Sequence, residues 1–205
     1  MTIELWLAFV AAASIMLIIP GPTITLVVSY ALGEGRRAAL ATVVGVALGD
    51  FTALVVSLVG LGAVLAASAT LFTILKWIGA AYLVYLGIRL WRSDPAADGP
   101  MAKTARSQGA MLGHAFTVTA LNPKGMVFFA AFLPQFIRTD APVAPQLAIL
   151  GATFLILATL NAAGYALLAG RLRETIRRPT VLKAVNRVGG GVLVGAGIAI
   201  ALRRA

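Results

Sequence analysis

Six long apolar stretches, separated by short segments rich in charged residues, glycine and proline, account for most of the 205-residue chain. A helix needs about 20 apolar residues to cross the hydrocarbon core of a bilayer, and all of the stretches except the last reach that length. The pattern therefore predicts an all-α integral membrane protein with six transmembrane helices, at residues 5–31, 38–65, 71–91, 110–136, 146–170 and 188–202.

The first and fourth predicted helices are interrupted near their middles by residues that oppose helix formation. A proline within a helix removes a backbone hydrogen bond and clashes with the preceding turn, and in lipid the freed carbonyls have no water to bind. A matched pair of such breaks, one in each half of a chain, indicates the binding site of a secondary transporter. The predicted substrate-binding residues at these breaks are Pro20, Gly21, Pro22 and Thr23 in the first, and Asn122, Pro123 and Lys124 in the second.

The two halves of the chain are similar to each other. The segment that begins at Lys76 matches the segment that begins at Asn186 at five of fifteen positions, and the breaks repeat at a similar offset, since Pro22 and Pro123 are 101 positions apart. Because each half holds three spans, the second half enters the membrane in the opposite direction, as in the inverted repeats of secondary transporters. We predict a first three-helix repeat at residues 1–92, a cytoplasmic linker at 93–109 and a second three-helix repeat at 110–205.

The amino-acid composition excludes several classes of function. The chain is 60% hydrophobic and 12% charged, it contains no cysteine, and its one histidine is His114. Disulfides, thiol chemistry and cysteine metal sites are therefore excluded, and we predict no bound metal, no cofactor and no enzymatic activity. The net charge of +10 does not indicate nucleic-acid binding, because the charges lie between the apolar spans and are typical of residues that orient a membrane protein.

The basic residues predict the orientation. Twelve of the seventeen Lys and Arg residues fall in the first, third and fifth loops. The positive-inside rule places these odd-numbered loops in the cytoplasm, and with six spans both termini then lie outside. Arg203 and Arg204 argue mildly against this placement for the C-terminus.

Two charged residues and one amide lie deep within the predicted spans. Lys124 is roughly 20 Å from either surface at 1.5 Å per residue, and Asp50 is similarly deep in the second span. A charge at the bilayer centre costs at least about 2.5–3.5 kcal/mol and indicates a substrate or proton pathway, although an ion pair between these two residues that only locks two helices together is an alternative. We predict Asp50 as the proton-coupling residue and Asn161, at the equivalent depth of the fifth span, as a neutral substrate-binding residue.

The broken helices suggest the substrate class. The N-terminus of a half-helix attracts a carboxylate, and unwound carbonyls attract an ammonium group or a coupling cation. Two facing breaks with Lys124 and Asp50 therefore suit a zwitterion, which favours an amino acid as substrate.

Several short motifs occur along the chain in the order found in a known protein family. The chain resembles the LysE/RhtB family of amino-acid exporters along essentially its whole length, through the segments Pro20–Pro22, Gly33–Arg37, Gly79–Gly87, Asn122–Lys124, Phe128–Phe129 and Leu133–Phe136. This resemblance implies a multi-pass protein of the bacterial inner membrane that exports an amino acid or a close derivative and is driven by the proton-motive force. Thr23 stands where the family often has Asn or Asp.

Other functions fit the sequence less well. A small-cation or metal exporter or channel would place several acidic or histidine ligands in the membrane, and a membrane enzyme would need a nucleophile, metal or cofactor set. A purely structural protein would not need buried charges and paired breaks.

The glycine-rich third and sixth spans allow close helix packing, so a homodimer is possible.

Overall fold

The computed structural model describes residues 1–67, 107–138 and 140–176, together with isolated residues between 74 and 92 and between 180 and 198. All regular structure within these ranges is helical, which confirms the predicted all-α class. The helices are α1 (Ile3–Ile18), α2 (Pro22–Gly33), α3 (Arg36–Ala67), α4 (Gln108–Ala120), α5 (Pro123–Val127) and α6 (Val143–Ile176), and a π-helical turn (Phe128–Phe132) and a 3-10 turn (Leu133–Phe136) follow α5.

Residues of the expected types begin these helices. Thr2 accepts a hydrogen bond from Leu5 N (3.4 Å) at the start of α1, and Ser107 accepts one from Ala110 N (3.3 Å) at the start of α4. Each helix that follows a break has a proline in its first turn, where the missing N–H would have had no helical partner. Gly35, with φ of 84°, provides the left-handed residue that turns the chain from α2 into α3.

The helices account for up to four membrane spans. Arg37–Gly60 in α3 and Val143–Ala169 in α6 are each long and apolar enough to cross a membrane alone. Two pairs, bent by 55° between α1 and α2 and by 42° between α4 and Pro123–Phe136, each give a further span if the pair crosses as one. Both bends lie at the breaks predicted from sequence. The predicted spans 71–91 and 188–202 fall largely outside the described residues, so the six-span arrangement and the repeat boundaries stay predictions.

Two clusters of buried apolar side chains show how these spans run. The first, called here the α1 cluster, joins α1 to the segment after the second break, and the second, the α2 cluster, joins α2 to α4. Their members are Phe9, Ala13, Met16, Ala53, Leu54, Phe128, Phe129, Leu133, Phe136, Leu150, Phe154 and Ala158 in the α1 cluster, and Ile24, Leu26, Val27, Tyr30, Ala38, Ala39, Val43, Val46, Met111, Ala115, Ala162 and Ala166 in the α2 cluster. The first broken span thus enters the α1 cluster first, whereas the second enters the α2 cluster first.

The same reversal holds for the two unbroken spans. α3 passes through the α2 cluster near Val46 before it reaches the α1 cluster at Leu54, whereas α6 meets them in the opposite order. The two broken spans are therefore antiparallel, and so are α3 and α6. This is the relation that the predicted inverted repeat requires of these four spans.

Glycines allow α3 and α4 to approach closely. A Cβ atom at Gly49 would lie 2.7 Å from Cβ of Thr119 and 2.8 Å from the carbonyl oxygen of Phe116. These distances are shorter than van der Waals contact, so α4 can pack at this distance only because residue 49 has no side chain. Asp50 and Thr119 are brought to the level of the breaks by this packing.

Candidate functional site

The C-terminal end of α1 lies at the first break and faces side chains from the second half of the chain. The last carbonyls of a helix have no partners within the helix, and Ile19 leaves the helical conformation with extended backbone angles. Four consecutive carbonyl oxygens here accept hydrogen bonds from side chains of the second half of the chain. The pairs are Lys124 Nζ with Met16 O (2.7 Å) and with Ile19 O (3.1 Å), Asn161 Nδ2 with Leu17 O (3.0 Å), and Tyr165 Oη with Ile18 O (2.8 Å).

A second set of hydrogen bonds joins the two breaks directly. Asn122 Nδ2 donates to Thr23 Oγ1 at 3.2 Å, and Thr119 Oγ1 lies 3.3 Å from the same oxygen. The other side of the Asn122 amide caps the following helix, since its Oδ1 accepts from Lys124 N at 3.1 Å. Thr23 is buried, so the two breaks are held together at their centres by a polar contact that is shielded from solvent.

The two helices that restart after the breaks differ at their N-termini. α5 is capped by Asn122, whereas no side chain within the described part of the chain caps α2, which begins after Gly21. The first-turn amides of α2 therefore keep the partial positive charge of an uncapped helix N-terminus. Of the two carboxylate sites that the breaks suggested in the sequence, the structure leaves open the one at α2.

A small cavity of about 50 Å³ lies between the breaks. It is lined by residues of both breaks, of α3 and of α6, and it separates the α1 cluster from the α2 cluster. Its lining residues are Met16, Leu17, Ile19, Gly21, Thr23, Ile24, Val46, Asp50, Asn122, Lys124, Gly125, Phe154, Ala158 and Asn161. Polar groups thus surround the breaks, whereas Ile24, Val46 and Phe154 give the cavity an apolar wall.

Asp50 lines this cavity, and no hydrogen bond joins its side chain to another of the described residues. Asp50 is 8% exposed. Among the described residues its carboxylate forms neither a hydrogen bond nor a direct ion pair, whereas Arg138 and Asp140 do form an ion pair. Asp50 and Lys124 therefore form no direct ion pair within the described residues, although their charges lie close enough to interact. Lys124 binds backbone carbonyls instead, and the carboxylate remains available to another group.

Six of the predicted site residues line this one cavity, namely Gly21, Thr23, Asp50, Asn122, Lys124 and Asn161. The three prolines of the breaks do not line it. They act on the backbone, by starting α2 and α5 and by ending the preceding helices.

Tyr165 and Thr119 belong to the same hydrogen-bonded assembly but were not predicted. Tyr165 lies one helical turn after Asn161 on α6, and Phe154, Ala158, Asn161 and Tyr165 follow one another at spacings of three or four, which places them on one face of the helix. That spacing is the sequence signal that could have identified Tyr165.

Within the described residues no group of three or more His, Asp or Glu side chains could hold a metal ion.

Comparison with known proteins identifies membrane and efflux proteins among the relatives of this chain. The chain is 37% identical over 203 residues to the homoserine/homoserine lactone efflux protein of Salmonella typhimurium, with 98% of both chains covered. It is 35% identical over 205 residues to a membrane protein of Vibrio cholerae, with both chains fully covered, and 31% identical over 155 residues to the leucine efflux protein of Salmonella typhimurium, covering 75% of this chain and 70% of that one. No solved structure matches. The model of the LysE type translocators matches residues 14–204, and the chain therefore belongs to the LysE type translocator family.

Proposed function

We propose that this protein exports an amino acid with an uncharged side chain across the bacterial inner membrane in exchange for protons, and that the cavity between the breaks is its binding site. The observation that carries the proposal is that the Asp50 carboxylate and the N-terminus of α2 lie at one cavity, and that within the described residues no hydrogen bond satisfies the carboxylate and no side chain caps the helix. The direction of transport is supported by the efflux proteins among the relatives.

The charges of the cavity suit a zwitterion. The Asp50 carboxylate binds the ammonium group of the substrate, and the first-turn amides of α2, with Thr23 and the nearby Lys124 ammonium, bind its carboxylate. Among the described residues the cavity has one acidic and one basic side chain. The α-ammonium and α-carboxylate groups of the substrate would bind these two side chains. A charged group on the substrate side chain would then have no partner and would face Val46 and Phe154.

Asp50 also provides a route to proton coupling. A carboxylate can hold either a proton or a substrate ammonium group, and the two exclude each other. If substrate leaves Asp50 only when a proton replaces it, outward movement of the amino acid is tied to inward movement of a proton.

The size of the cavity requires movement during transport. About 50 Å³ holds a few water molecules, whereas small-molecule sites usually measure about 300–1,000 Å³. The two apolar clusters lie on either side of the breaks, so we expect them to open alternately and to widen the cavity toward one side of the membrane at a time. The predicted basic loops would place the α2 cluster on the cytoplasmic side.

Proteoliposomes that contain the purified protein test this function. Efflux of all twenty amino acids, together with homoserine, is measured with and without an imposed proton gradient, with protein-free liposomes and a protonophore as controls. We expect gradient-dependent transport of one or a few amino acids with uncharged side chains. Transport of lysine or arginine alone would contradict the charge argument, and movement of small cations without any amino acid would favour the cation-exporter alternative.

A further inference from the structure

Two of the four carbonyls at the end of α1 converge on one cation. Lys124 Nζ lies 2.7 Å from Met16 O and 3.1 Å from Ile19 O. The carbonyls of a helix C-terminus carry a partial negative charge and favour a cation. In broken transporter helices, carbonyls of this kind coordinate the coupling ion. Here the position is filled by a side chain of the protein itself.

The path of the lysine side chain explains how it reaches this position. Lys124 follows Pro123 directly after the second break, and its stem crosses the first break beside Gly21, where an added Cβ would lie 3.9 Å from Cδ and 4.0 Å from Nζ. The backbone at the second break therefore positions the Lys124 ammonium group at the first break. Asn161 and Tyr165 satisfy the two carbonyls in between, Leu17 O and Ile18 O, with neutral donors.

We propose that the Lys124 ammonium is a tethered cation filling a monovalent-cation site formed by the carbonyls of Met16 and Ile19, and that a free primary ammonium ion can fill this site when the lysine side chain is removed. The protein therefore needs no bound metal cation at this break. The cation site rests on the contacts alone, whereas its part in transport rests on the proposed function.

The test replaces the tether by a free ion. Lys124→Ala deletes the atoms from Cγ to Nζ, whose size and charge are those of n-propylammonium. Thermal unfolding of the purified variant is measured with increasing n-propylammonium chloride, with choline chloride at equal ionic strength and 1-propanol as the bulky and uncharged controls. Lys183→Ala, which removes a lysine from the exposed surface, is the matched variant.

We expect Lys124→Ala to lose thermal stability and to regain most of the lost Tm with n-propylammonium, because a ligand that binds only the folded protein stabilises it. Wild type and Lys183→Ala, which keep the Lys124 side chain, should gain clearly less, because n-propylammonium can act on them only elsewhere, for example at Asp50. Recovery that is equal with 1-propanol would mean that the side chain fills space only, and it would overturn the proposal. A folded Lys124→Ala variant with no response to n-propylammonium would do the same.

A second measurement needs no variant. Efflux by the wild-type protein is measured in proteoliposomes whose sodium and potassium are replaced by choline. An unchanged rate is expected, and a rate that depends on sodium or potassium would overturn the proposal. If no amino acid is transported at all, the proposed function fails, but the thermal-unfolding experiment still decides whether the cation site exists.

Discussion

Asn161 donates a hydrogen bond of 3.0 Å to the backbone carbonyl of Leu17, which precedes it by 144 positions. The bond joins α6 to the end of α1, at the break in the first span. A carbonyl freed by a helix break within a membrane needs a partner from the protein or from water in a cavity, because lipid offers none. Asn161 therefore closes a gap in the hydrogen bonding of another helix, and this role is separate from any contact that it makes with substrate.

Asn161→Ala is expected to lower the free energy of unfolding by about 0.5–1.5 kcal/mol, the usual net contribution of a hydrogen bond, because the bond to Leu17 is only partly buried. Thermal unfolding of the purified protein measures the effect as a lower Tm. Leu160→Ala is the matched control, because the neighbouring side chain is 64% exposed on the surface of the helix. Equal losses for the two variants would show that the hydrogen bond to Leu17 does not stabilise the break.

The sequence was sufficient to locate the breaks, because proline and glycine act through local backbone geometry. It also identified Asp50, Lys124 and Asn161, because a polar residue within a long apolar stretch stands out whatever it contacts. These three side chains do line one cavity. Their roles in transport stay predictions.

The partners of these residues could not be predicted in the same way. The sequence suggested that Lys124 would bind substrate or pair with Asp50, but its nearest acceptors are the backbone carbonyls of Met16 and Ile19. Every residue has a backbone carbonyl, so the sequence does not show which of them accepts a hydrogen bond from a side chain more than a hundred positions away. Only the folded structure identifies that acceptor. The difference between the two helix starts, by contrast, has a signal in the sequence, because Asn122, a preferred capping residue, precedes Pro123, whereas Gly21 precedes Pro22.

Asp50→Asn is expected to abolish proton-driven efflux while the protein remains folded. The amide has nearly the same shape as the carboxylate, but it can neither carry a proton nor pair with an ammonium group. Because the Asp50 carboxylate makes no hydrogen bond or direct ion pair with another described residue, its loss should change Tm little. Efflux from proteoliposomes with an imposed proton gradient is the measurement.

Asp50→Glu is the companion variant to Asp50→Asn. It keeps the charge but moves the carboxylate by one methylene, so we expect partial efflux that still requires the gradient. Undiminished gradient-driven efflux by Asp50→Asn would remove this residue from the coupling mechanism. Loss of the folded protein in both variants would instead indicate a structural role.

Gly49→Ala is expected to destabilise the protein by about 1–3 kcal/mol or more, because an added methyl group would overlap with the α4 backbone and overpacking has this cost. Gly60→Ala on the same helix is the control. A Cβ atom at Gly60 has no neighbour within 4 Å, and replacing glycine by alanine within a helix is worth roughly 0.5–1 kcal/mol in favour of alanine. The two variants should therefore shift Tm in opposite directions, and a similar shift for both would contradict the close packing of α3 and α4.

Gln146 holds the loop between the 3-10 turn and α6. Its side chain is 2% exposed, its Nε2 lies 2.9 Å from Arg138 O, 3.3 Å from Ala141 O and 3.0 Å from Pro142 O, and its Oε1 accepts from Arg138 N at 2.9 Å. Gln146→Leu keeps a similar volume but removes every one of these bonds. We expect a loss of about 1–3 kcal/mol, because the buried Gln146 amide and its partly buried backbone partners lose several hydrogen bonds together, and a correspondingly lower Tm.

Asp140→Asn, in the same loop, provides a control with a distinct pH dependence. The Arg138 guanidinium donates to the Asp140 carboxylate, with Nε to Oδ1 at 2.9 Å, and holds the pKa of Asp140 below its usual range. A lowered folded-state pKa stabilises the protein above the ordinary pKa of aspartate, and this stabilisation is lost as the pH falls through the folded value. Both side chains are exposed, so Asp140→Asn should lower Tm only slightly at neutral pH and not at all in acid. The loss in Gln146→Leu should be the same at both pH values, because no titratable group is removed, and a loss that disappeared in acid would assign the stability of this loop to the ion pair and not to Gln146.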